Sequence, residues 1–192
     1  MFERCESLKT LDISSFKVNK IKDFSFMFFF CTSLEYLDLY NFKTSEARNM
    51  RGMFGSCDSL IYLNIINFDT SKVTEMGYMF TSLDSLTSIN LNNFDTKNVE
   101  NMESLFYLSG NLTSVDLSKF NTTKVQNFEN MFGYCEGFKY LDLSSFDLLN
   151  GKKFGGMFEQ CINLSISVNN DTKSINDFVN NIPKYVNVNY ID

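Results

Sequence analysis

The chain has 192 residues, 44% hydrophobic and 21% charged, which supplies a core and is unlike a disordered composition. Its net charge of −6, without a long basic run, argues against nucleic-acid backbone binding, and no apolar run approaches the roughly 20 residues that cross a bilayer. Histidine is absent and the five cysteines show no C-x-x-C spacing, so zinc and most general acid–base sites are disfavoured.

A fixed period organises everything else. Met1, Met27, Met53, Met79, Leu105, Met131 and Met157 stand 26 residues apart, and so do Phe2, Phe28, Phe54, Phe80, Phe106, Phe132 and Phe158. A second aromatic column runs through Phe16, Phe42, Phe68, Phe94, Phe120 and Phe146. Met1-Phe2 is already in mid-repeat phase and no signal peptide is visible, so the chain is expected to lack an upstream part. The alternative is that residues 1–7 form a terminal cap. Cys5, Cys31, Cys57, Cys135 and Cys161 share one column with Leu83 and Ser109. That exchange marks an apolar site, where reduced thiols serve as small hydrophobes.

One repeat, residues 60–85, shows the expected elements in order. Leu60, Leu63, Ile65 and Phe68 follow L-x-x-L-x-L-x-x-F, with Leu63 and Ile65 on one face of a short strand. Asp69, Thr70 and Ser71 turn and cap. Val73, Met76, Met79, Phe80 and Leu83 then keep the spacing of one apolar face of a short helix, which Gly77 weakens. Met50, Met76 and Met102 belong to that core face and not to a metal-binding stripe. No repeat can bury its apolar edge alone, so the repeats are expected to stack with parallel strands.

The strand columns are Leu11, Leu37, Leu63, Ile89, Val115, Leu141 and Ile13, Leu39, Ile65, Leu91, Leu117, Leu143. The pattern predicts an α/β leucine-rich-repeat solenoid of about seven repeats. Its parallel sheet lines a concave face and short helical segments line the convex one. Phenylalanine replaces the usual Asn or Cys at the strand end, which predicts a stacked phenylalanine spine there.

"LTSINLNNFDTKNVENMESLF" and "LIYLNIINFDTSKVTEMGYMF" resemble the 26-residue repeats of BspA-like bacterial surface proteins over about residues 1–166. That resemblance implies a secreted or lipid-anchored location at the cell surface and a role in adhesion or interaction.

Towards the end, Leu148, Leu149 and Gly151 replace the usual turn residues, and "LSISVNN" slips the strand by one residue. Residues 174–190 fit a short helix followed by a strand. The expected division is a solenoid over 1–168 and a C-terminal cap over 169–192.

Residues between the core columns must face outward. Tyr36, Tyr40, Tyr62 and Ile66 form one aromatic patch on adjacent strands, with Ile61 at its margin and polar support from Asp38 and Asn64. Such a patch suits a protein or glycoprotein partner, although tyrosine is also favoured on strands for packing alone. Asp12 with Asp38, and Asp116 with Asp142, would lie about 5 Å apart, near the carboxylate spacing of retaining glycosidases and within reach of a shared Ca²⁺. An Asp or Asn in every repeat, on a flat surface, reads better as architecture. No G-x-S-x-G, P-loop or H-E-x-x-H phrase occurs. The sequons at Asn111, Asn121, Asn163 and Asn170 are expected by chance in so Asn- and Thr-rich a chain.

The expectation is therefore a non-enzymatic surface interaction or adhesion module with no cofactor. A structural spacer or variable display module is the alternative, and a carbohydrate-active enzyme using an Asp pair the third reading. The open N-terminal edge offers a route to self-association.

Overall fold

The computed structural model describes the backbone of residues 1–192 and every side chain except those of 173 and 174. The chain winds as a parallel β-solenoid of about six turns with very little helix. β1 (Tyr36–Asp38) pairs with β2 (Tyr62–Asn64), and β3 (Ser88–Ile89) pairs with β4 (Ser114–Val115). β5 (Tyr140–Asp142), β6 (Ser165–Asn169) and β7 (Asn187–Ile191) form a third parallel sheet. Each partner in the first two sheets lies 26 residues on, so every outward residue faces its own column. Tyr140 instead pairs with Ser165, which is the expected slip of one residue.

The helical segments expected after each strand do not form. Left-handed residues recur at two columns in that stretch, such as Tyr78 (φ 60°) and Ser82 (φ 50°), or Gly52 (φ 60°) and Ser56 (φ 56°). Tyr78, Gly52 and Ser56 are each the third residue of a tight turn, closed for Tyr78 by Met79 N–H donating to Met76 C=O as a type II turn requires, whereas after Ser82 the Leu83 N–H donates to Ser109 Oγ at 3.2 Å. The intervening N–H groups donate to the next coil instead. Tyr78, Phe80 and Ser82 donate to Glu103, Leu105 and Tyr107 at 2.8, 3.0 and 2.7 Å. Apolar spacing near 3.6 is thus met by consecutive turns, with backbone donors spent between coils rather than within one helix.

Beside this bonding runs an unbroken ladder of parallel bridges. Single parallel bridges link Asp23, Asn49, Glu75, Asn101, Asn127 and Lys153 without a break, whereas strand pairing stops between β2 and β3 and between β4 and β5.

The interior is phenylalanine. Phe2, Phe28, Phe54, Phe80, Phe106, Phe132 and Phe158 stack in one continuous column, with centroids 5.6–5.9 Å apart and planes within 15°. This corrects the placement of the spine at the strand-end column. Phe68 and Phe94 are buried but only tilt against the true spine, at 6.4 and 6.1 Å, and Phe120–Phe146 is a local stack. At the strand end, ring planes are set by contact with the neighbouring spine ring. In the Met-Phe column each ring meets its own copy one coil away.

Met50, Met76 and Met102 are fully buried, as their spacing predicts. So are Cys31, Cys57, Cys135 and Cys161, and Cys57 Sγ donates to Phe28 C=O at 3.2 Å. A buried threonine ladder completes the core: Thr70 Oγ donates to Asp95 C=O and accepts from Asp95 N–H, and Thr44 and Thr96 repeat the pair. After β6 come a 3-10 turn (Asn170–Ser174) and α1 (Asn176–Asn180), then β7, so the helix and strand expected over 174–190 are present. Phe178 of α1 packs edge-on against Phe154 and Phe158 at 5.5 and 6.4 Å, over the last ring of the spine.

Candidate functional site

The three outward columns of the strand face are solvent-facing along the solenoid. Tyr36, Tyr40 and Tyr62 are 52%, 54% and 48% exposed, and Ile61 and Ile66 are exposed beside them. Alternation puts these side chains out because Leu37, Leu39 and Ile65 are drawn into the core. The register β1–β2 sets Tyr36 beside Tyr62 with centroids 6.5 Å apart, tilted by 37° rather than stacked. Asn64 Nδ2 donates to Asp38 Oδ1 at 2.9 Å, so the polar pair expected to support the patch is joined. Tyr40 and Ile66 each lie two residues beyond the end of their strand, on the turn that follows it.

The Asp/Asn column has a local duty in every coil. Asp12, Asp38, Asn64, Asn90, Asp116 and Asp142 each accept from the backbone N–H two residues on, at 2.9–3.3 Å. This Asx turn lets the chain leave the strand. Ser14, through its backbone N–H and then its hydroxyl, holds the Asp12 carboxyl below the ordinary carboxylate range. Ser118 does the same for Asp116, its hydroxyl first and its backbone second. A glycosidase general acid needs the opposite shift. The surface is not wholly flat, since a hollow of about 210 Å³ lies between Asp12, Ser14, Asp38 and Tyr40. Both its carboxylates, however, are engaged by turns. Among the described residues, no group of three or more Cys, Asp or Glu side chains could hold a metal ion.

Sequence reasoning missed the opposite ladder. Columns beginning at Lys20 and Lys22 form a second exposed face there, rich in lysine. The 26-residue spacing of its cations was the available signal. It is masked because those columns fall in the turn and at the start of the apparent helix.

Among the described residues, no helix is long and apolar enough to cross a membrane. Comparison with curated proteins and with solved structures returned no match. The model of one protein family matches residues 1–89 and again residues 83–189. Matched over nearly all of its length, the chain belongs to the family described as "Mycoplasma protein of unknown function, DUF285".

Proposed function

We propose that this chain is a non-enzymatic interaction module that binds a protein or glycoprotein through the strand face. Tyr36, Tyr40, Tyr62 and Ile66 supply the contact area, and Asp38 with Asn64 supplies hydrogen bonds at its centre. The observation that carries this reading is the clustering of four large exposed side chains over two adjacent coils, on a face where Tyr140 stands alone among otherwise small polar residues. Tyrosine offers broad contact at low entropic cost and is enriched where binding energy concentrates. The strand phrase L-x-x-L-x-L-x-x-F supports a leucine-rich-repeat lineage. The resemblance to BspA-like surface proteins supports a cell-surface or secreted setting and adhesion as the use.

The test is binding of the purified chain to immobilised extracellular glycoproteins and glycans, beside a Tyr36→Ala/Tyr40→Ala/Tyr62→Ala variant that still melts cooperatively. Removal of two or more hot-spot side chains should weaken binding at least about 30-fold. Unchanged binding by the folded variant would rule the patch out.

One observation favours a second reading, a structural spacer or display module. The Asp/Asn column is fully engaged in turns, so regular architecture alone accounts for much of the strand-face polarity. No binding by the parent chain to any protein or glycan would favour the spacer.

A further inference from the structure

Two long faces of this solenoid carry opposite charge. The three outward columns of the strand face hold Asp12, Asp38, Asp116 and Asp142 and no cation, a net of −4. On the bridge ladder, one outward column runs Lys20, Glu46, Lys72, Asn98, Lys124, Asn150. The next runs Lys22, Arg48, Thr74, Glu100, Gln126, Lys152. These two columns hold six cations against two carboxylates, a net of +4 on a chain of net −6. All six cations are exposed, and the one ion pair within the columns is Lys72 with Glu46 at 2.6 Å. The flanks offset part of this contrast without reversing it: Lys9, Lys119 and Lys139 against Glu35 border the strand face, with Lys119 Nζ donating to Asn92 C=O at 3.5 Å. Asp23, Glu75 and Lys153 border the ladder face, with Glu75 facing Arg51 at 3.5 Å.

We propose that the ladder face of one copy docks on the strand face of a second copy, side by side and in register. The partner is identified by the order of the charges, not by their total. Along the strand face the acidic coils are the first, second, fifth and sixth, at Asp12, Asp38, Asp116 and Asp142. On the ladder face those same coils carry Lys20 and Lys22, then Arg48 with Glu46 (itself paired to Lys72 of the third coil), Lys124, and Lys152. The one ladder carboxylate outside an ion pair among these columns, Glu100, is in the fourth coil, where the strand face carries the neutral Asn90. Both faces are cut from the same coils, so they share one spacing of about 4.8 Å and complementary charges stay matched along the whole length. An unrelated anionic surface has no reason to keep that pitch. The contact is heterologous, so each copy keeps an unused face of each kind and association continues beyond a dimer.

The columns themselves supply conservative test substitutions. Asn64 and Asn90 make the same Asx turn as the aspartates, and Gln126 already stands in the ladder column. One variant is therefore Asp12→Asn/Asp116→Asn/Asp142→Asn, which leaves the tyrosine patch and Asp38 untouched. The other is Lys22→Gln/Arg48→Gln/Lys124→Gln/Lys152→Gln. Sedimentation velocity at about 20 mM salt should show the parent chain associating beyond dimers, and at 1 M salt at least tenfold more weakly. Each variant alone should be monomeric. Mixed in equal amounts, they should form a 1:1 dimer and nothing larger, since one intact acidic face then meets one intact basic face.

A monomeric parent at low salt overturns the proposal. So does association that survives in both variants, which would place the contact elsewhere, such as the N-terminal edge, and so does a mixture that stays monomeric. Ligand binding by the Asp→Asn variant is measured separately, and its tyrosine patch is intact, so failure of this proposal and failure of the proposed binding role are told apart.

Discussion

Phe80→Ala tests whether the solenoid is held by its ring column. Phe80 is 1% exposed and lies between Phe54 at 5.9 Å and Phe106 at 5.7 Å, with Phe94 tilted against it at 6.1 Å. Truncating a buried Phe to Ala costs about 3–5 kcal/mol. Because the Phe80 ring is packed against aromatic neighbours on three sides, this site should fall at the upper end, about 4–5 kcal/mol. For a chain of this size that lowers Tm by roughly 8–20 °C. Phe2 is only partly buried, with one stacked neighbour, Phe28 at 5.6 Å, and one tilted one, Phe16 at 6.2 Å. Phe2→Ala should therefore cost about half as much or less. Urea unfolding followed by circular dichroism gives both numbers. The m-value adds a second check, because coils touch only their neighbours and a break in the middle separates two halves. Equal costs at the two positions, or a loss under about 1 kcal/mol at Phe80, would refute the spine as the main cohesive element.

Three more outcomes follow from the geometry. A Cβ on Gly52, where φ is +60°, would lie 2.6 Å from the Phe26 ring, so Gly52→Ala should cost at least about 1–3 kcal/mol. Gly110→Ala, with 3.7 Å to its nearest atom, should stay within about 0.5 kcal/mol by thermal melting. Burial raises the Cys31, Cys57 and Cys135 thiols and pushes Cys161 up to about 11, whereas Cys5 is only half-buried at the end of the column. Mass spectrometry after brief maleimide treatment should find one adduct, at Cys5, in the native chain and five in denaturant. Ser71 and Ser25 hydrogen bonds hold Asp69 and Asp23 below the ordinary carboxylate range. A carboxylate depressed in the folded state stabilises it above the unfolded pKa, and that contribution fades as pH falls through the lower folded value. Tm should therefore drop between about pH 5 and pH 2, and a Tm that is constant over that interval would contradict the assignment.

Much was legible because a period of 26 brings the same residue types back to the same columns in coil after coil. Met50, Met76, Met102 and four of the cysteines could be assigned to the core from exchange with Leu and from spacing. Tyr36 and Tyr62 could be set side by side because identical coils stack in register. The slip at Ser165 showed as a phrase one residue short. Turn residues were less readable. Tyr78 and Ser82 are not glycines, and nothing in their side chains announces a left-handed backbone, yet they convert an apparent helix into consecutive turns.

The order of charges along the coils, the buried and outward columns and the repeat itself were set by the sequence, since side-chain polarity and spacing decide them locally. Only the tertiary structure decided where backbone donors go. A Met76 or Phe80 N–H has two competent acceptors, one within its own coil and one in the next. Stacking the phenylalanine rings brings the second into reach at 3.0–3.1 Å, so the ladder between coils replaces the helix that periodicity alone suggested.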